Sequence, residues 1–177
     1  MRQPSLVRSV LPTVAAMVTR DERSIAAPPD DVFDIVCRVE EWPVHLAHYR
    51  YVRVLERGAD GAVVEMSANR PFGVFNWPTR WVSAMWADVA KHSLRFTHIG
   101  GITRGMEVEW RVERGERGSQ VTLIHLWDGP PWPLGKWIAR KIIGPVFVHG
   151  IASRTLAGLG RVAERRAALA APRRQPR

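Results

Sequence analysis

From residue 49 to residue 128 apolar and polar side chains alternate in short runs, the period of a β-strand. The run at 106–113 is the clearest: Met106, Val108, Trp110 and Val112 share one face, and Glu107, Glu109, Arg111 and Glu113 share the other. The alternation predicts strands at about 49–57, 62–70, 79–88, 92–99, 104–114 and 119–128, after a first strand at 14–27. Turn residues, among them Gly58–Gly61, Gly100–Gly101 and the ERGERGS stretch, leave connections short enough for hairpins, so the sheet is expected to be antiparallel. Between the first two strands, Asp30 reads as a helix cap, with Asp31 in the first turn and Val32, Phe33, Ile35 and Val36 on the apolar side. A second short helix, VEEWPVHLAH, tolerates Pro43 only in its first turn. The aromatic, Gly- and Pro-rich PFGVFNWP reads as a loop that can cover a pocket.

Past Asp128 the period changes. From Trp132 to about Leu169 the pattern is that of one long amphipathic helix, kinked or split at Gly144–Pro145. Such a helix needs an apolar surface, and the one-sided strands supply it. The predicted class is α+β: a helix-grip fold, with a curved antiparallel sheet of about seven strands around the C-terminal helix and two short helices between the first two strands. An internal cavity is expected between sheet and helix. Residues 1–14 are expected to be a flexible arm, 15–169 a single ligand-binding domain, and 170–177 a disordered basic tail.

Strand period also selects the residues that look into the cavity. Met66 and Arg70 share a face with Val64 and Ala68; Phe96 and His98 follow Leu94; Leu123 and His125 lie between Val121 and Trp127. On 79–88 the inward set is Trp81, Ser83 and Met85, and Met106 and Trp110 complete the wall. Trp42, Trp77 and Arg80 are counted with this lining, as are Phe147, Ile151 and Thr155 of the last helix. The candidate polar groups are Arg70, His98 and His125, with Tyr49 near the entrance.

Charge narrows the partners. The formal net charge is +9, of which residues 1–20 carry +3 and residues 161–177 carry +5, so the body is almost neutral. That argues against a nucleic-acid-binding face. The single cysteine, Cys37, excludes an internal disulfide and fits a reducing, cytoplasmic setting. The first residues look faintly like an export signal, but Arg8 and Pro12 interrupt the apolar stretch and no clear cleavage site follows. No apolar run reaches the ~20 residues of a membrane-spanning helix. His45 and His48 are spaced to share a metal, yet no HExxH, second cysteine or carboxylate cluster accompanies them, and no metal is expected. With no GxGxxG after a strand, no Walker loop and no GxSxG elbow, no cofactor is expected.

A strand leading into Ala-Pro-Pro-Asp-Asp-Val-Phe-Asp-Ile-Val, then Glu-Glu-Trp42-Pro43 and Tyr49, forms a recognisable series. A Gly-Met106-x-Val-x-Trp110 strand and a His125-bearing strand follow, ahead of the long terminal helix. Over residues 15–168 the chain resembles the START-like, helix-grip (SRPBCC) superfamily, which includes Bet v 1-type ligand carriers and bacterial polyketide cyclase/aromatase proteins. It is most similar to the polyketide cyclase/dehydrase branch. The resemblance implies binding of a reactive poly-β-ketone tethered to an acyl carrier protein, and ring closure by aldol condensation with loss of water. Tyr49 falls where such enzymes carry a pocket tyrosine. Met85 stands where they place a pocket arginine and Thr155 where they place an asparagine, so Arg70 or Arg80 would have to supply the cation.

An aldol closure needs a base for the acidic α-proton and a donor for the developing oxyanion. His125 or His98 suits the first role and Arg70 would hold the charge, while Tyr49 would protonate the departing hydroxyl or orient a carbonyl. Trp81, Phe96 and Trp110 would select a flat product. The competing reading is a non-catalytic carrier of a lipid, isoprenoid quinone or pigment. In that case Lys136, Arg140, Lys141 and Arg154, beside Trp137, Ile142 and Phe147, could rest on a membrane surface. A third reading is an interaction module with a vestigial cavity. Both monomer and homodimer fit the sequence.

Overall fold

The computed structural model describes residues 15–59, 61–72, 75–130, 137 and 148–170; the side chains of 70–72 and 75–77 lie outside the described set. Seven strands are present: β1 (Met17–Ile25), β2 (Tyr49–Gly58), β3 (Gly61–Phe72), β4 (Phe75–Asp88), β5 (Ser93–Gly101), β6 (Glu107–Gly115) and β7 (Gly118–Trp127). They form one antiparallel sheet in the order β1-β7-β6-β5-β4-β3-β2. Each hairpin pairs with its neighbour in sequence, and β1 crosses to pair with the last strand. The curved sheet, the short helices and a C-terminal helix are those of the expected helix-grip fold.

The first two strands are joined by α1 (Pro29–Cys37), a 3-10 turn (Val39–Glu41) and α2 (Trp42–His45). Pro29 sits at the first helical position of α1, where its missing N–H costs nothing. Asp30 is in the first turn and not at the cap, which is Pro28 without a side-chain hydrogen bond; Asp30 and Asp31 favour the helix dipole, and Asp30 Oδ1 also lies 2.7 Å from His92 Nε2. Val32, Phe33, Ile35 and Val36 are buried under the sheet.

The chain departs from the expected PFGVFNWP loop. The β3–β4 ladder continues through Arg70↔Trp77, Pro71↔Asn76 and Phe72↔Phe75, leaving only 73–74 to connect the strands. Backbone pairing outweighs the turn-forming residues there, because extending a formed ladder satisfies more backbone groups than a loop does.

The C-terminal helix is described as α3 (His149–Ala170). Residues 132–147 of the expected longer helix, with the Gly144–Pro145 kink, lie outside the described residues, except Trp137. Ile151, Ala152, Thr155, Leu156, Leu159 and Ala163 form its buried stripe. That stripe lies against β1 and α1, with further contact to α2 and β7. Gly160 lets the helix approach β1: a Cβ there would meet Ile25 and Arg23 at 3.3 Å. Glu164 accepts from the Ala26 N–H (3.2 Å) and Arg166 donates to Asp34 of α1 (3.0 Å), fixing the far end of α3.

Candidate functional site

The inward face of the sheet opposite α2 and α3 carries a ring of aromatic side chains. Trp42 projects from α2 against Tyr49 at the start of β2 (centroids 5.4 Å apart), Trp110 of β6 (5.6 Å) and Phe96 of β5 (6.4 Å). Tyr49 meets Trp81 of β4 at 6.2 Å, and Trp81 stacks on His98 of β5 at 6.0 Å. Strand alternation places these residues: Met66↔Trp81 and Ser83↔His98 are cross-strand pairs, so their side chains stand on one face. Trp42, Met66, Trp81, Phe96, Met106, Trp110 and Leu123 are all buried in this core, and half-buried Met85 packs against it.

Polar groups are set into this apolar surface. His98 Nδ1 is 2.7 Å from Thr103 Oγ1, and its backbone is held by Met106 O and the Gly105 N–H, both at 2.8 Å. His48, tilted against Tyr49 at 5.0 Å, places Nε2 3.0 Å from Thr155 Oγ1 on α3; that hydroxyl in turn donates to Ile151 O. Ser83 is fully buried, and neither its hydroxyl nor the Trp42 indole N–H has a hydrogen-bond partner among the described residues. Unpaired buried polar atoms are costly, and a few polar groups set into an apolar wall are a feature of ligand sites.

His125 is on the same face but elsewhere. Its ring nitrogen Nδ1 lies 3.2 Å from Thr19 Oγ1 of β1, its register partner. Phe96↔Val108 and Val108↔His125 place it two strands from β5, about 10 Å at ordinary strand spacing. The two histidines therefore do not form one dyad. Arg80, expected in the lining, is corrected: it is exposed on the outer face and bonded to Glu65 at 2.6 Å. Trp81 occupies the inward slot, and consecutive strand residues cannot both do so. Ile151 and Thr155 are on the inner stripe of α3. The side chains of Arg70 and Trp77 lie outside the described residues; their backbones are register partners two residues beyond Ala68↔Thr79. Phe147 also lies outside.

Two titratable groups on the inner side of the sheet are ones that sequence reasoning does not select. Asp21 of β1 is buried, with Oδ1 2.6 Å from His149 Nδ1 of α3 and Oδ2 without a hydrogen-bond partner among the described residues. Burial pushes its carboxyl above the ordinary range, against the opposing pull of His149. The alternation Met17, Thr19, Asp21, Arg23, Ile25 carries this signal. The second group is His48, which the sequence offers only as a metal ligand. Among the described residues no cluster of three potential ligands could hold a metal ion. Burial, with Asp34 nearby, pushes the Cys37 thiol up to about 11, so it is no nucleophile at neutral pH.

A curved sheet gripping one helix over an aromatic interior defines the helix-grip class. The chain belongs to the polyketide cyclase / dehydrase and lipid transport family, whose model matches residues 25–152. A Streptomyces halstedii protein named "Putative polyketide cyclase" is 31% identical over 107 residues, covering 60% of this chain and 96% of that protein. The crystal structure of the Zhui aromatase/cyclase from a Streptomyces species superposes with a TM-score of 0.70 at 20% identity, covering 88% of this chain and 99% of that one. A crystal structure of a Thermus thermophilus protein gives 0.72 at 21% identity, covering 85% and 99%.

Proposed function

We propose that this protein is a polyketide cyclase/aromatase-like enzyme that binds a poly-β-ketone against the Trp42–Tyr49–Trp81–Phe96–Trp110 ring and promotes aldol closure and dehydration. The observation that carries this reading is the aromatic ring with polar atoms set into it, on a chain of this family. Flat, electron-rich walls hold a cyclising chain in few of its many conformations, and positioning contributes much of the rate.

In the proposed step a base removes the proton between two carbonyls. The enolate carbon then attacks a second carbonyl of the same chain, and the resulting alkoxide is protonated. Loss of water from the ring follows. His98 is the best-placed base, because Thr103 and Trp81 fix its ring. Tyr49 is the donor to the developing oxyanion, with His48 against its ring. Arg70 remains the proposed cation, and His125 a second proton-transfer group nearer β1. The substrate would arrive on an acyl carrier protein.

The test supplies carrier-bound poly-β-ketone made by a minimal polyketide synthase and follows ring-closed products by mass spectrometry. His98→Ala is expected to lower turnover about 10²–10⁴-fold, the usual contribution of a general base, and Trp81→Ala to scatter the ring pattern. Wild-type turnover in a His98→Ala/His125→Ala double variant would remove both histidines from the mechanism. A second reading, a carrier of an apolar small molecule, is favoured by the lipid-transport part of the family's description. Native mass spectrometry that finds a phospholipid or quinone bound, with no turnover, would decide for it.

A further inference from the structure

The outer face of α3 carries charge that no described residue neutralises. At 100° per residue, Arg154, Arg161 and Arg165 fall within about 40° of one another, opposite the buried stripe. All three are exposed, and none has a carboxylate within ion-pair distance among the described residues. The nearby acids are already engaged: Asp34 by Arg38 and Arg166, Glu41 by Arg38, Glu40 by Arg57, and Glu164 by the Ala26 N–H. The arginine row is thus a cationic surface open to a counter-charge from outside the chain.

The same flank exposes apolar side chains. Leu169, four residues beyond Arg165, is 88% exposed, and Val44 of α2 is 80% exposed. Val44 is held beside α3 because Gly158 admits Leu46 and the His45 carbonyl against the helix. An acidic protein would pair with the guanidinium groups but has no need of lone exposed aliphatic side chains beside them. A bilayer surface uses both, taking the guanidinium groups at lipid phosphates and the aliphatic groups at the acyl boundary. We infer that the Arg154–Arg161–Arg165 row of α3, with Val44 and Leu169, docks the protein on an anionic membrane surface. This inference does not rest on the cyclase reading.

Co-sedimentation with phosphatidylcholine vesicles containing about a third phosphatidylglycerol tests it. Wild-type protein is expected to pellet with these vesicles, to stay in solution with pure phosphatidylcholine, and to be released by high salt. Each arginine near an anionic surface contributes about fivefold in partitioning, so R154Q/R161Q/R165Q should bind on the order of a hundredfold more weakly. Leu169→Ser should bind several-fold more weakly with its charge unchanged. Arg57→Gln, the same kind of substitution at a single ion-paired site, should bind like wild type. The surface location of the three arginines keeps folding unaffected, and circular dichroism checks this. Equal pelleting with neutral vesicles, equal losses in the triple and Arg57 variants, or binding only to an acidic polypeptide such as polyglutamate would each overturn the assignment. No assay arm uses a polyketide, so absence of turnover leaves the result intact.

Discussion

Asp21 is a carboxylate where strand β1 otherwise turns Met17 and Ile25 into the core. One oxygen meets His149, and the other has no hydrogen-bond partner among the described residues. Burial raises its folded pKa above the unfolded value of about 3.9. A raised acid adds stability below the unfolded value and loses it as pH rises through the folded one. At neutral pH the charged group is therefore a net cost that the nearly isosteric amide avoids. Asp21→Asn is expected to raise the melting temperature at pH 7 by about 2–4 °C, and the gap should close below about pH 4. Scanning calorimetry across that range checks it; a lower melting temperature at pH 7 would show that the His149 pair outweighs desolvation. Residue-scale chemistry of this kind is only half visible in the sequence. Alternation places Trp81, Phe96 and His98 on the inner face, and the same rule applied strictly moves Arg80 out and brings Asp21 in. The His48–Thr155 bond joins residues 107 apart and has no local signal.

Elements are more legible than contacts, because a strand writes its period into consecutive residues while a contact between elements does not. The 106–113 alternation and the Gly58–Gly61 turn predict β6 and the β2–β3 hairpin, whose ends pair as Gly58↔Gly61. The β3–β4 hairpin misleads because Pro71, Gly73 and Pro78 suggest a loop, and only pairing with a neighbour shows the ladder continuing. Glycines matter where elements meet. Gly118 opens β7 at φ +140°, and a Cβ there would run into the carbonyl oxygen of Ile25, the last residue of β1. One residue thus ends the β6–β7 turn and seats the β1–α1 joint, where Ser119 Oγ also donates to Ala27 O at 2.7 Å. Gly118→Ala should destabilise by more than about 1 kcal/mol, from backbone strain and the clash together. Urea denaturation measures it. Gly105→Ala offers a comparison, since it also has a positive φ, +86°, but no atom within 4 Å of the added Cβ. Equal losses in the two variants would assign the effect to φ alone.

For the whole molecule, acid stability is set by buried carboxylates whose pKa values move in opposite directions. Glu109 is 1% exposed on the outer face of the sheet, where Ser93 and Arg95 of β5 and Arg111 of β6 all donate to it. Burial alone would raise its carboxyl, but the hydrogen bonds from Arg111, Arg95 and Ser93 outweigh it and hold the group below the usual range. A lowered acid contributes stability above its unfolded value of about 4.3, and that stability is lost as pH falls through the folded value. Asp21, on the edge strand β1, changes in the opposite direction over the same range, so the two carboxylates act against each other in the acid limb. Glu109→Gln removes the buried charge that Arg95 and Arg111 both pair with and should cost about 3 kcal/mol at pH 7. Because the lost contribution is one the wild type also gives up in acid, the two denaturation curves should converge as pH falls below about 4. Asp21→Asn should do the reverse and steepen the acid limb, since it removes the group that protonation favours. Curves for Glu109→Gln and wild type that stay parallel from about pH 7 to about pH 3 would show that the β5–β6 charge network does not set the acid limit of the fold.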